Sequence, residues 1–198
     1  MHKSPRAVRA IAATIALPLL LLGAACTKQQ ATPVSTGSLP PGLKPAASIL
    51  DLMHDPIDRS ANALWEAVYV SGSGDGSDDV LPASDEEWLA LRRQALMLME
   101  AANLLVTEGR PVASPGQDLE GGAGEGVLTP AQAQAEIDNN RPVYNAFSAT
   151  LQGVGASFVA AIDARDAEQF MAAGDALQGA CQGCHQRFWY PEQAQPAP

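Results

Sequence analysis

Four stretches of this chain repeat large apolar residues at alternating steps of three and four, a spacing that leaves few folds open. On a helix turning every 3.6 residues such steps fall on one face, so each stretch needs a partner to cover its stripe. The first runs from about Ala46 to Val70. Leu50, Met53, Ile57, Leu64 and Val68 share a face, with Ala61 and Trp65 beside it. Pro56 falls inside this pattern and either starts the helix proper or kinks it, because it removes a backbone donor and crowds the preceding turn. The second stretch opens with a capping box, Ser84-Asp85-Glu86-Glu87. It carries Trp88, Leu91, Ala95, Leu98, Ala102 and Leu105, then ends at Gly109 with Pro111 just beyond. The third begins near Pro142 and carries Tyr144, Phe147, Leu151, Val154, Phe158 and Ala161. Gly153 and Gly155 interrupt it and leave room for close packing or for a cofactor. The fourth starts at Asp166, an N-cap with Gln169 three residues on, and carries Phe170, Gly174, Leu177, Cys181, Cys184 and Phe188. Between them lie a loop over residues 71–83, a long Gly-rich mobile loop over 109–128 and a short helix over 130–139 capped by Thr129. No strand pattern, internal repeat, Walker loop or dinucleotide fingerprint is visible. The expected fold is all-α, an antiparallel four-helix bundle.

The last stripe contains chemistry. Cys181-Gln182-Gly183-Cys184-His185 is a Cys-x-x-Cys-His, the attachment signature of a c-type haem. Two thiols at this spacing add across the two vinyl groups of a haem, and the next residue offers an imidazole to the iron. On a helix Cys181, Cys184 and His185 stand at i, i+3 and i+4 and project from one face. Two other readings use the same residues. A structural zinc site needs four ligands, and downstream of an N-terminal leader the chain offers only His54 as a further imidazole and no second Cys pair. A thioredoxin-like redox pair belongs beside a βαβ pattern, which is absent here.

Residues 1–25 read as a signal peptide. Lys3, Arg6 and Arg9 form a basic start without acids, and an apolar run from Ala10 to Ala25 ends in small residues. That run is too short to cross a bilayer comfortably. Cys26 follows at once. Leu-Leu-Gly-Ala-Ala-Cys resembles a bacterial lipobox, in which the Cys becomes the lipidated first residue, although Gly23 stands where Leu is usual. Cleavage by an ordinary signal peptidase after Ala25 fits the same residues. Residues 26–45 are rich in Pro, Ser, Thr and Gly and read as a flexible, lipid-anchored tether. The bundle occupies residues 46–190, and 191–198 form a disordered tail. Export and the haem motif support each other, because bacteria attach haem c outside the cytoplasmic membrane. The formal net charge is -10, and removing the leader leaves about -13. So acidic a body argues against nucleic acid and against anionic lipid as partners. It suits redox proteins with a basic docking face.

Taken together, the four-helix order, a longest loop between the second and third helices, Cys-x-x-Cys-His near the end of the last helix and an aromatic three residues after the His (Phe188) resemble the cytochrome c′ group, the class II c-type cytochromes. The resemblance covers about residues 46–190. Class I cytochromes c carry the motif near the N-terminus, an arrangement that Cys181 excludes. Three features depart from the group: Trp189 where a basic residue is common, Pro56 inside the first helix, and extra length from Pro130 to Arg141.

The resemblance implies a periplasmic, lipid-anchored monohaem cytochrome that carries electrons and is not an enzyme. Its cofactor is haem c with its iron, attached at Cys181 and Cys184 and ligated by His185. In an antiparallel bundle the start of the first helix lies beside the end of the fourth, so position selects Met53 as sixth ligand over Met97, Met99 and Met171. Electron-transfer relatives take that ligand from a similar place. Core filling is the other use of an inward Met. His54 points about 100° from Met53 on a regular helix, though a kink at Pro56 could bring it round. Two alternatives stay open: a five-coordinate haem protein that binds NO or CO, and a haem-free structural lipoprotein using Cys181 and Cys184 as a disulfide or weak metal site. Membrane contact is expected only through lipid at Cys26, and a homodimer is compatible with the chain.

Overall fold

The computed structural model describes residues 42–72, 82, 84–122, 124 and 126–191, all within one compact unit that spans 35–198. The leader, Cys26, most of the tether, most of the 71–83 loop and the tail from residue 192 lie outside the described residues. The fold is all-α, with no strand among the described residues. Four-residue α1 (Ile49–Leu52) is followed by α2 (Asp58–Gly72), α3 (Asp85–Leu105), α4 (Pro130–Asn139), α5 (Arg141–Ala164) and α6 (Ala167–Phe188). The most extensive packing is of α3 on α5 and of α5 on α6, and α2 leans on both α3 and α6. The body is bundle-like.

Local chemistry explains the starts. The hydroxyls of Ser84 and Thr129 each accept the amide of the residue three on, while the Glu87 and Gln132 side chains reach back to the cap amides. Both ends of the reciprocal box are therefore made, which satisfies two otherwise orphan donors per helix. Asp166 caps α6 by accepting from the Gln169 amide at 3.0 Å. Between α5 and α6, Arg165 adopts a left-handed conformation (φ 57°), so the two helices join with almost no loop.

The first stripe differs from a single helix over 46–70. Ser48 and Asp51 make a capping box that starts α1, and α1 stops after one turn. Residues Met53–Ile57 then form a widened π-type turn, in which Asp55 is extended (φ -163°, ψ 112°) and the Asp55–Pro56 peptide is cis. Pro56 thus breaks the helix, because a prolyl nitrogen has no proton for the ladder. Ile57, Ala61 and Leu64 continue the buried face from the far side of the break. α3 ends at Leu105, four residues before the Gly109 stop expected from sequence.

The larger surprise is the Gly-rich loop. The Ile49 and Leu50 amides, orphan donors at the start of α1, bond the carbonyls of Pro111 and Val112 at 2.8 and 2.9 Å. Arg110, buried, donates from Nε to the Leu104 carbonyl at 2.9 Å and from its guanidinium to the Ala47 carbonyl. One side chain therefore ties the end of α3 to the approach of α1. Val112 and Leu119 are buried. This segment is an anchored wall where the sequence suggested a mobile connector, because its bonds are long-range and leave no periodic trace.

Aromatic residues fill one part of the core: Phe170 meets Phe158 at 5.1 Å and Trp88 at 6.0 Å, both edge to face. Such contacts contribute about 0.5–1.5 kcal/mol each beyond burial. Gly155 explains the tight α3–α5 contact. A methyl group there would stand 2.5 Å from Cγ of Met99 and 3.2 Å from the Ala95 carbonyl oxygen. Gly153, two residues earlier, faces open space.

Candidate functional site

A cavity of about 530 Å³ opens among α1, α2, α5, α6 and the anchored loop. It far exceeds the voids of a close-packed interior and falls in the range of cofactor sites, about 300–1,000 Å³. Its walls come from particular ends of the helices. Leu105 closes α3, Tyr144 to Leu151 open α5, and Ala180 to Phe188 close α6.

Cys181, Cys184 and His185 all line this cavity, as the i, i+3, i+4 spacing requires. Both cysteines are free thiols and half-buried. Burial, helped by the Asp58 carboxylate, pushes the Cys181 thiol up to about 11. Burial, then the neighbouring Cys181, pushes Cys184 to about 12. At neutral pH both are protonated thiols. Among the described residues no three His, Cys, Asp or Glu side chains converge to hold an ion. His185 is shifted the other way: burial lowers its pKa, against an opposing pull from Glu120. Its imidazole is therefore mainly neutral at pH 7, the form that ligates metal.

Met53 also lines the cavity, at the first residue of the widened turn and half-buried against the core. Met97 is exposed, and neither it, Met99 nor Met171 reaches the cavity. The break at Pro56 brings His54 to the cavity as well. It is exposed, with Nε2 3.1 Å from Oε1 of Glu120. Two thiols, a neutral imidazole and a thioether therefore share one apolar space, which could hold a flat apolar cofactor and ligate its metal. Cys26 lies outside the described residues.

Three residues on or beside the cavity have contacts that the sequence reading did not assign: Trp189, Arg187 and Tyr144. Trp189 donates its indole N–H to the Glu120 carbonyl at 3.1 Å, and its own carbonyl accepts the Leu128 amide at 2.8 Å. Its ring meets His185 edge to face at 4.9 Å. It thereby holds the loop against the end of α6 and supports the imidazole. Only its place directly after the last turn of α6 could have signalled this. Arg187 reaches Glu136 at 2.9 Å and ties α6 to α4, the segment that sequence reading treated as extra length. Tyr144 is buried on the cavity wall, stacked edge to face on Phe188 at 5.4 Å, and its hydroxyl has no hydrogen-bond partner among the described residues. Burial raises its pKa, so it remains a neutral donor. A buried hydroxyl without a partner costs about 1–3 kcal/mol. An acceptor on a bound group would relieve that cost.

No protein-family model, no curated protein and no solved structure matches this chain.

Proposed function

We propose that this chain is a periplasmic, lipid-anchored monohaem c-type cytochrome of the cytochrome c′ kind that carries electrons. The observation that carries the reading is the convergence on one apolar cavity of Cys181, Cys184 and His185 from α6 and of Met53 from the widened turn. The donor set suits a covalently held haem. Cys181 and Cys184 stand on one wall of the cavity, where they would hold the haem at its two vinyl groups. Cys181 and Cys184 would make the two thioether links, His185 would be the proximal ligand and Met53 the sixth. The bound haem would supply one-electron iron chemistry.

The chain's own residues do the rest. Trp189 orients His185, the Val112–Leu119 wall excludes water, and the Tyr144 hydroxyl offers a donor to a polar edge. With His185 and Met53 both holding the iron, its potential would be raised and no position would be left for a gas. An antiparallel four-helix arrangement, with α1 and α2 counted as one interrupted helix, is supported by a cavity built from the ends of α3 and α6 and the start of α5.

Absorption and magnetic circular dichroism of the protein and its Met53→Ala variant test the ligand set. The expected result is a low-spin His–Met signature that the variant loses. High-spin iron in the unaltered protein, binding carbon monoxide readily, overturns the carrier and leaves the gas-binding alternative.

A further inference from the structure

Met53 sits on a piece of chain that has little to hold it from within. α1 is a single turn, far short of the roughly 12–15 residues an isolated helix needs, and the helix breaks at Pro56 soon after Met53. The place of Met53 at the cavity must therefore come from bonds to other elements, and those bonds lead to the loop after α3. The Met53 amide donates to the carbonyls of Ile49 and Leu50. The amides of the same two residues donate to the carbonyls of Pro111 and Val112. Two hydrogen-bonded steps thus connect Met53 with the 111–112 backbone.

Arg110 fixes that backbone. It is 6% exposed, and among the described residues no carboxylate pairs with it. Its guanidinium donates instead to two backbone carbonyls, that of Leu104 near the end of α3 and that of Ala47 just ahead of α1. A buried cation without a counter-charge is costly, so geometry and not charge pairing accounts for this one. The planar fork of an arginine donates in two fixed directions at once. From the other side of the loop, Gln134 of α4 accepts the Val112 amide at 2.9 Å.

We propose that Arg110 is the positioning residue for the sixth ligand: by locking residues 110–112 between the end of α3 and the start of α1, it holds Met53 in the cavity. The proposal rests on the reading of Met53 as an iron ligand and deepens it. Arg110 is not part of the cavity wall, so it acts on the iron only through Met53. Without it the Leu104 and Ala47 carbonyls lose their donor, α1 opens from the body and Met53 leaves the iron. The packing of α3 on α5 and of α5 on α6, the most extensive in the fold, does not pass through Arg110 and stays formed.

Arg110→Met tests this by two readouts. In amide hydrogen exchange of the purified full chain, Ile49, Leu50 and Met53 should exchange at least about tenfold faster than in the unaltered protein, while Leu98, Phe158 and Leu177 change by less than about threefold. In the haem-loaded protein the low-spin His–Met signature should weaken, and added imidazole should bind the iron about tenfold more tightly, because the open state is more populated. With Met53 already replaced by alanine, Arg110→Met should leave imidazole affinity unchanged to within about twofold. Gln134→Ala, outside the buried core, should move both readouts in the same direction by a smaller factor. Equal loss of protection throughout the chain in either variant overturns the proposal and makes the clamp a general stabiliser. So does an unchanged His–Met signature in Arg110→Met, or an effect on imidazole that persists in the Met53→Ala background. Those results leave the carrier reading standing, whereas an unaltered protein without the His–Met signature overturns that reading and the proposal together.

Discussion

Adding one methyl group at each of two neighbouring glycines of α5 should change stability in opposite directions. Gly153→Ala and Gly155→Ala both replace glycine in a helix interior, which favours the helix by about 1 kcal/mol. At 153 the new methyl meets nothing within 4 Å, so the gain should appear nearly whole. At 155 it would lie 2.5 Å from Met99 Cγ, 3.2 Å from the Ala95 carbonyl oxygen and 3.5 Å from the Met99 amide nitrogen. The side chain could move, and the Met99 nitrogen is at ordinary contact distance, but the Ala95 carbonyl oxygen belongs to the α3 backbone and must give by a few tenths of an ångström, which pushes the helices apart. Overpacking of this kind costs about 1–3 kcal/mol, which offsets or exceeds the propensity gain. The two variants should therefore differ by about 1–3 kcal/mol, with Gly155→Ala the weaker. For a chain of this size that corresponds to about 2–12 °C in Tm. Urea unfolding followed by far-UV circular dichroism gives the difference, with both variants in the same cofactor state. Equal stabilisation by the two substitutions would refute the close α3–α5 approach.

Two further outcomes follow from the electrostatics and the leader. Arg92 holds Asp163 bidentately, at 2.8 and 3.3 Å, and keeps its carboxyl below the ordinary range. Stability from a depressed carboxyl is fully present above its unfolded value of about 3.9 and is lost as pH falls through the lower folded value. Asp163→Asn should accordingly lose less stability than the unaltered protein between about pH 5 and pH 2, read from urea midpoints; parallel curves would contradict the pairing. Intact mass of protein extracted from membranes should show acyl chains on Cys26, and a free Cys26 thiol in a soluble periplasmic fraction would remove the anchor.

Where the determining chemistry is local, the sequence was readable. Ser84, Thr129 and Asp166 each bond an amide three residues away, so the starts of α3, α4 and α6 could be read from four-residue windows. Cys181, Cys184 and His185 share a wall because they share a helix. What could not be read depends on distant partners. Pro56 announced a disturbance, but the extended Asp55 and the return of His54 to Glu120 follow from packing against a loop some sixty residues away. Val112 and Leu119, single apolar residues among Gly, Pro and Ser, have no period to detect. They become a wall through the bonds of Ile49 and Leu50 to the 111–112 backbone. Trp189 stood out only as unlike the resembled group, while its role comes from the Glu120 carbonyl it meets.

The central claim is the covalent cofactor, and the pyridine haemochrome spectrum tests it most directly. Protein from a host competent in cytochrome c maturation should give the spectrum of a haem bound by two thioethers, one haem per chain, retained through acid–acetone extraction. The Cys181→Ala, Cys184→Ala double variant should retain none. A colourless protein, haem extracted by acid–acetone, or covalent haem surviving in the double variant would contradict the account.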